Sequence, residues 1–179
     1  MRLFNEEVYF TKDDVVKVKR SIINFLKSKS LKNKRKRIRL CAHKNIKDEL
    51  HEMFIVHNKG IYIRPHKHLK EESLHVISGR ADIILLNENG SIKNLIHIGE
   101  YSSGNDFYFR LPPSYYHTMI IKSDFLIFHE TKAGPFDKKN TTFAPWAPEE
   151  TDIEKVTIFQ RSLKTKIKNF GQSRKKTHA

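Results

Sequence analysis

From Arg37 onward the apolar residues come in short runs separated by turn formers. IRLCAH, HEMFIVHNKG, IYIRPH, SLHVISG, ADIILLNENG, LIHIG, FYFRLP, YHTMII and FLIFHET are rich in β-branched and aromatic residues. Nine such runs with no helical pattern between them predict a sandwich or closed barrel. Asn89-Gly90 predicts a hairpin between ADIILL and IKNLIHI. Gly134-Pro135 and the Pro145-Trp146-Ala147-Pro148 stretch predict irregular chain at the end of the barrel. Ahead of the strand region, Phe4 to Phe10 alternates loosely enough for a short strand. Thr11 with Asp13 and Asp14 then resembles a helix start. Val15, Val18, Ile22, Phe25 and Leu26 share one face at helical spacing, which predicts a helix over 12–28. After Thr151, the stripe Val156, Phe159, Leu163, Ile167 and Phe170 predicts a second amphipathic helix, and the closing GQSRKKTHA is expected to be disordered.

With 179 residues there is room for one cored domain plus terminal additions. The expected division is an N-terminal helical and basic segment over 1–36, a barrel over 37–150 and a basic C-terminal extension over 151–179. Cys41 is the single cysteine, so no internal disulfide forms, and a reducing compartment is expected. MRLFNEEVYFTKDD has no apolar leader-like core, and no run approaches the roughly 18 apolar residues of a membrane span. The expectation is a cytoplasmic protein. Its net charge of +14 is uneven: sixteen Lys/Arg face seven Asp/Glu in 1–60, ten face eleven in 61–150, and eight face two in 151–179. The middle is neutral, and the excess sits on the ends. The densest basic run extends from Lys27 through Arg35 and Arg37 to Arg39 and carries no interleaved aromatic. Stacking platforms of that kind serve single-strand binders, so the run reads as a solvated face and direct nucleic-acid binding is not expected.

The neutral middle holds the candidate chemistry. In GIYIRPHKHLKEESLHVISG, His66, His68 and Glu72 fall within seven positions, and His117 follows near the head of another strand. Imidazole and carboxylate together suit one divalent transition metal, Fe, Mn, Zn or Ni among others. In a regular strand Tyr62, Arg64, His66 and His68 share a face. A turn at 69–71 would bring in Glu72, and His117 is expected on the facing wall. Arg64 reads either as a clamp for a carboxylate or phosphate, or as the partner of Glu130 or Glu72. Tyr62 reads either as a phenol in the pocket or as plain core. Glu130 is the candidate general base or Arg64 partner. His129 should point to the opposite face, and so should His75 relative to Glu72. Tyr115, Tyr116 and Cys41 read as packing residues.

The spacing G-x5-H-x-H-x3-E-x6-G is filled at every position by Gly60, His66, His68, Glu72 and Gly79. It resembles the first motif of the cupin superfamily. The second motif is matched in part: Pro112 and His117 stand at the right distance, Ser114 and Ile121 replace glycine and asparagine, and Gly104 lies two residues too far upstream. The blocks HEMFIV, YIRPHKH, ESLHVISGRADIILLNENG, FYFRLPPSYYHTMI and HETKAGPFDKKNTTFAPWAPEE resemble WbuC-type cupin-fold metalloproteins over about 35–150. The resemblance implies an all-β double-stranded β-helix, a jelly-roll barrel, with a bound metal. It also implies a context in bacterial surface-polysaccharide (O-antigen) or nucleotide-sugar metabolism. On that view a metal-assisted isomerisation or epimerisation of a small-molecule substrate is expected, with Arg35, Arg37 and Arg39 able to hold a nucleotide diphosphate. A non-haem oxygenase and a non-catalytic ligand-binding module are the alternatives. A homodimer is expected, packed through the N-terminal strand or helix.

Overall fold

The computed structural model describes residues 1–177. Its strands are β1 (Arg2–Asn5), β2 (Val8–Phe10), β3 (Arg37–Cys41), β4 (Leu50–Asn58), β5 (His66–His68), β6 (Glu72–Ser78), β7 (Arg80–Leu86), β8 (Ile92–Gly99), β9 (Tyr108–Leu111), β10 (Tyr116–Ile121), β11 (Phe125–Ala133) and β12 (Thr141–Phe143). Its helices are α1 (Arg20–Lys32) and α2 (Ile153–Thr177). One sheet runs β1-β2-β3-β4-β11-β6-β9 and the other β12-β5-β10-β7-β8. The result is the jelly-roll architecture expected, with a helix against the outer face of each sheet.

Alternation builds these four layers. On β3, Ile38 and Leu40 face outward and pack with Val56, Ile127 and the α1 residues Ile22, Phe25 and Leu26. Between the sheets Cys41, Met53, Ile55, Leu74, Val76, Ile83 and Phe128 form the inner core. On the far side Ile84, Leu86 and Tyr116 pack under Leu163, Phe159 and Ile167 of α2. The FAPWAP stretch belongs to that outer layer. Ala144 and Ala147 are buried there, and Trp146 donates its Nε1–H to the Glu88 carbonyl (2.8 Å) and stacks on Phe159. The Asn89-Gly90 hairpin joins β7 to β8 as expected, with Gly90 at φ +77°.

Three expectations change. The first helix begins at Arg20, not at residue 12, and Val15 is 72% exposed. Val15, Val16 and Val18 crowd the preceding turn of a helix and favour extended chain. IYIRPH is not a strand before His66, where the three-residue β5 begins. The tail from Gly171 is helical to Thr177, because Gln, Arg and Lys sustain a helix already nucleated upstream; residues 178–179 lie outside the described residues. Among the described residues, no helix is long and apolar enough to cross a membrane.

Candidate metal centre and its cavity

The histidines gather at one end of a cavity of about 810 Å³ between the two sheets. His66 and His68 are the ends of β5, and His117 on β10 pairs directly with His66. His117 therefore lies on the same wall as the other two, not on the facing one. Glu72 crosses instead: the turn at 69–71 carries the chain from β5 in one sheet to β6 in the other. The ligand atoms of His66, His68 and His117 all lie within 4.8 Å of one another. Glu72 closes the group, with carboxylate oxygens 2.9 Å from His117 Nε2 and 3.3 Å from His68 Nε2.

The hydrogen bonds orient these rings. His66 Nδ1 lies 2.8 Å from the Arg64 carbonyl and His117 Nδ1 lies 3.1 Å from the Tyr115 carbonyl. A carbonyl oxygen only accepts, so both Nδ1 atoms carry the hydrogen, which turns each Nε2 toward the cluster. His68 Nδ1 meets the Thr141 hydroxyl at 3.0 Å. Burial pushes His66 down to about 3 and His68 down to about 4, so both rings are neutral at ordinary pH. Burial alone would raise the Glu72 carboxyl, but the hydrogen bond to His117 and the Lys132 charge hold it below the usual carboxylate range. Imidazoles held through Nδ1 beside an ionised carboxylate are the donor set of a divalent cation site. The residues fit a metal ion.

Lys132, one strand position pair beyond Glu130, is the member that the sequence reading missed. Its ammonium donates to Glu72 Oε2 (3.0 Å) and His68 Nε2 (3.2 Å) and lies 4.0 Å from Glu130 Oε1. Period-two alternation from Glu130 along β11 would have found it. Glu130 itself lines the cavity, and burial raises its carboxyl. His129 points outward to Phe54 and Glu52, and His75 outward to Phe107.

Arg64 reaches the cavity, but its acid neighbour is neither Glu130 nor Glu72. It lies 3.7 Å from Glu149 and over the Phe143 ring, and its buried Nε has no hydrogen-bond partner. Tyr62 is brought to a different place. It is absent from the cavity lining, donates its hydroxyl to the Pro148 carbonyl (3.0 Å) and packs on Phe159 of α2. The face shared by Tyr62 and Arg64 fails because residues 61–65 are not in a strand, and Ile61 and Ile63 take the core instead. Cys41 is buried, which pushes its thiol up to about 11, so it supplies no thiolate.

The far end of the cavity is lined by Arg35, Arg37 and Arg39. Arg37 and Arg39 are not a solvated face: they alternate with Ile38 and Leu40 on β3 and point inward. Arg35 and Arg37 both pair with Glu7 and Glu150 across the mouth.

Residues 18–98 match a family described as Domain of unknown function (DUF6016). No curated protein matches the chain. Among solved structures, a Shewanella oneidensis protein is 12% identical over 57% of this chain and 66% of its own, with a TM-score of 0.47. The Bacillus subtilis oxalate decarboxylase is 18% identical over 60% of this chain, with a TM-score of 0.47. Procruciferin, an 11S globulin from Brassica napus, is 15% identical over 52% of this chain, with a TM-score of 0.41. The chain spans 27% of the decarboxylase and 22% of the globulin.

Proposed function

We propose that this protein binds one divalent transition metal (Fe, Mn, Zn or Ni) through His66, His68, His117 and Glu72 and catalyses a proton transfer on a small polar substrate. The observation that carries the reading is the convergence of three imidazoles and a carboxylate beside a second, buried carboxyl. A bound ion would supply Lewis acidity toward a carbonyl or hydroxyl of the substrate. Glu130 takes and returns the proton; its burial raises its carboxyl, the direction that makes it a better base. Lys132 stabilises the ionised form of Glu130. Ile63, Phe128 and Phe109 line the cavity and limit water.

The substrate class that suits this arrangement is a sugar or nucleotide sugar, with isomerisation or epimerisation as the reaction. The WbuC-type blocks support a place in bacterial surface-polysaccharide metabolism, in the cytoplasm. The expected homodimer is supported by edge strand β1, whose Leu3 and Phe4 are 58% and 55% exposed.

Elemental analysis of the purified protein, a thermal-shift screen against nucleotide sugars and anaerobic turnover assays test the reading together. A ligand at 100 times its dissociation constant adds about 2.7 kcal/mol. Glu130→Gln is expected to keep metal and ligand binding and to lose turnover by at least about 100-fold. Turnover that requires oxygen would replace the isomerase with an oxygenase. Tight binding without conversion would make the protein a ligand-binding module.

A further inference from the structure

Beyond the histidine cluster the cavity lining carries buried polar atoms with no hydrogen-bond partner among the described residues. Among the described residues, the Arg39 side chain makes one hydrogen bond, from Nη1 to the Met53 sulfur at 3.9 Å, and its charge acts on Glu130 without a direct ion pair. His57 on β4 is directly opposite Arg37 on β3, and its buried Nδ1 has no partner. The buried Nε of Arg64 is also unpartnered. All of these side chains line the same cavity. Burial and the charges of Arg37 and Arg39 hold His57 down at about 3, so its ring is neutral there. A buried polar group without a partner costs roughly 1–3 kcal/mol, and an unpaired charge costs more. Two such atoms in one cavity, beside an arginine with no direct ion pair, mark a place suited to a ligand.

We propose that the Arg39, Arg37, Arg64 and His57 end of the cavity is the seat of a phosphoryl group. This rests on the reading of the cavity as a small-molecule site and names the charged part of its substrate. Four guanidinia line the cavity near three lining carboxylates, Glu6, Glu7 and Glu150, so positive charge exceeds negative there by one. The donors come from different elements: Arg37 and Arg39 from β3, His57 from β4 and Arg64 from the chain before β5. That suits the tetrahedral oxygens of a phosphoryl group better than a flat carboxylate. The neutral His57 ring can donate from Nδ1 without adding charge. Glu7 and Glu150 sit on Arg35 and Arg37 at the mouth and compete with an entering anion.

The test is calorimetric titration of the full, chelator-treated protein with inorganic phosphate, pyrophosphate and acetate at constant ionic strength. Phosphate and pyrophosphate are expected to bind, and acetate to bind at least about tenfold more weakly. Arg39→Gln and Arg64→Gln should each weaken pyrophosphate by about tenfold or more, and Glu150→Gln should tighten it. The His66→Ala/His68→Ala double variant should bind pyrophosphate like the parent, which separates this seat from the metal centre. The proposal is overturned if the metal-free parent binds no pyrophosphate, if acetate binds equally well, or if a folded Arg39→Gln protein binds unchanged. The parent titrations decide even where a variant fails to fold. Loss of the metal reading with pyrophosphate binding intact would leave this seat standing.

Discussion

The two ends of the cavity are built from the same sheets and differ in how far the protein satisfies itself. At the histidine end most polar groups have a partner. His66 and His117 donate to carbonyls, Glu72 bridges His68 and His117, and Lys132 is held between Glu72, His68 and Glu130. At the arginine end His57 and Arg64 each face the cavity with a buried atom unmet, Arg39 has only the Met53 sulfur as a hydrogen-bond partner, and the ion pairs that do exist join Arg35 and Arg37 to Glu7 and Glu150. Mouth pairs of that exposure contribute little, roughly 0–1 kcal/mol each. The first end is pre-organised around a point charge; the second waits for a ligand with several acceptors. Replacing groups at one end should therefore leave the other end's binding intact.

The largest expected effect is at the histidine end. His66→Ala/His68→Ala removes two of four donors, and metal content by elemental analysis is expected to fall from near one ion per chain to near zero with the fold retained, by circular dichroism. Wild-type metal content in that variant would dissolve the distinction between the ends. The next effect belongs to His57. Its folded value of about 3 lies below the ordinary value of 6.5. As pH falls below 6.5 the unfolded chain takes up a proton that the folded chain refuses, so stability falls with pH down to about 3. Between pH 7 and 4 this amounts to a few kcal/mol. His57→Phe should flatten the chemical-denaturation profile across that window by the same amount. An unchanged slope would mean that His57 is solvated in the folded protein.

A smaller effect sharpens the electrostatics of the first end. Lys132 places an ammonium 3.0 Å from Glu72, where it competes with any bound cation. Lys132→Met is expected to raise metal affinity by about tenfold, or 1.4 kcal/mol. A fall in affinity would show instead that Lys132 positions the Glu72 carboxylate.

How much of this was legible depends on which physical signal carried it. The four ligand candidates were visible because spacing and strand alternation are local. Their division between walls was not, since a three-residue β5 followed by a sheet-crossing turn leaves no periodicity to follow. Arg37 and Arg39 alternate with Ile38 and Leu40, a β signal that the surrounding run of lysines obscured. Lys132 was missed although it follows Glu130 by two on β11, because a lysine near cation ligands contradicts the usual chemistry of such a site. Tyr62 was misplaced by extending β5 backward through Pro65, which bounds the strand. Unmet hydrogen bonds such as that of His57 Nδ1 have no sequence signature at all, since they depend on what the whole cavity fails to provide.

The smallest effect concerns what the histidine end costs the backbone. Ser114 stands where the second cupin motif has glycine, and it adopts φ +79°. A side chain in that region costs of order 1–2 kcal/mol. Ser114 N–H donates to the His68 carbonyl (3.3 Å), so the strained turn ties the start of β10 to β5 and sets His117 beside His66. Ser114→Gly relieves the strain and keeps that N–H, while the freer unfolded chain takes back part of the gain. The expected net is a stabilisation of about 0.5–1 kcal/mol, with metal content unchanged. If the glycine variant lost stability, the left-handed turn would be supported by contacts of the serine itself. If it gained stability but lost metal, the stiffness of the serine turn would be what holds His117 in place, and strain would join satisfied hydrogen bonding as a mark of the histidine end.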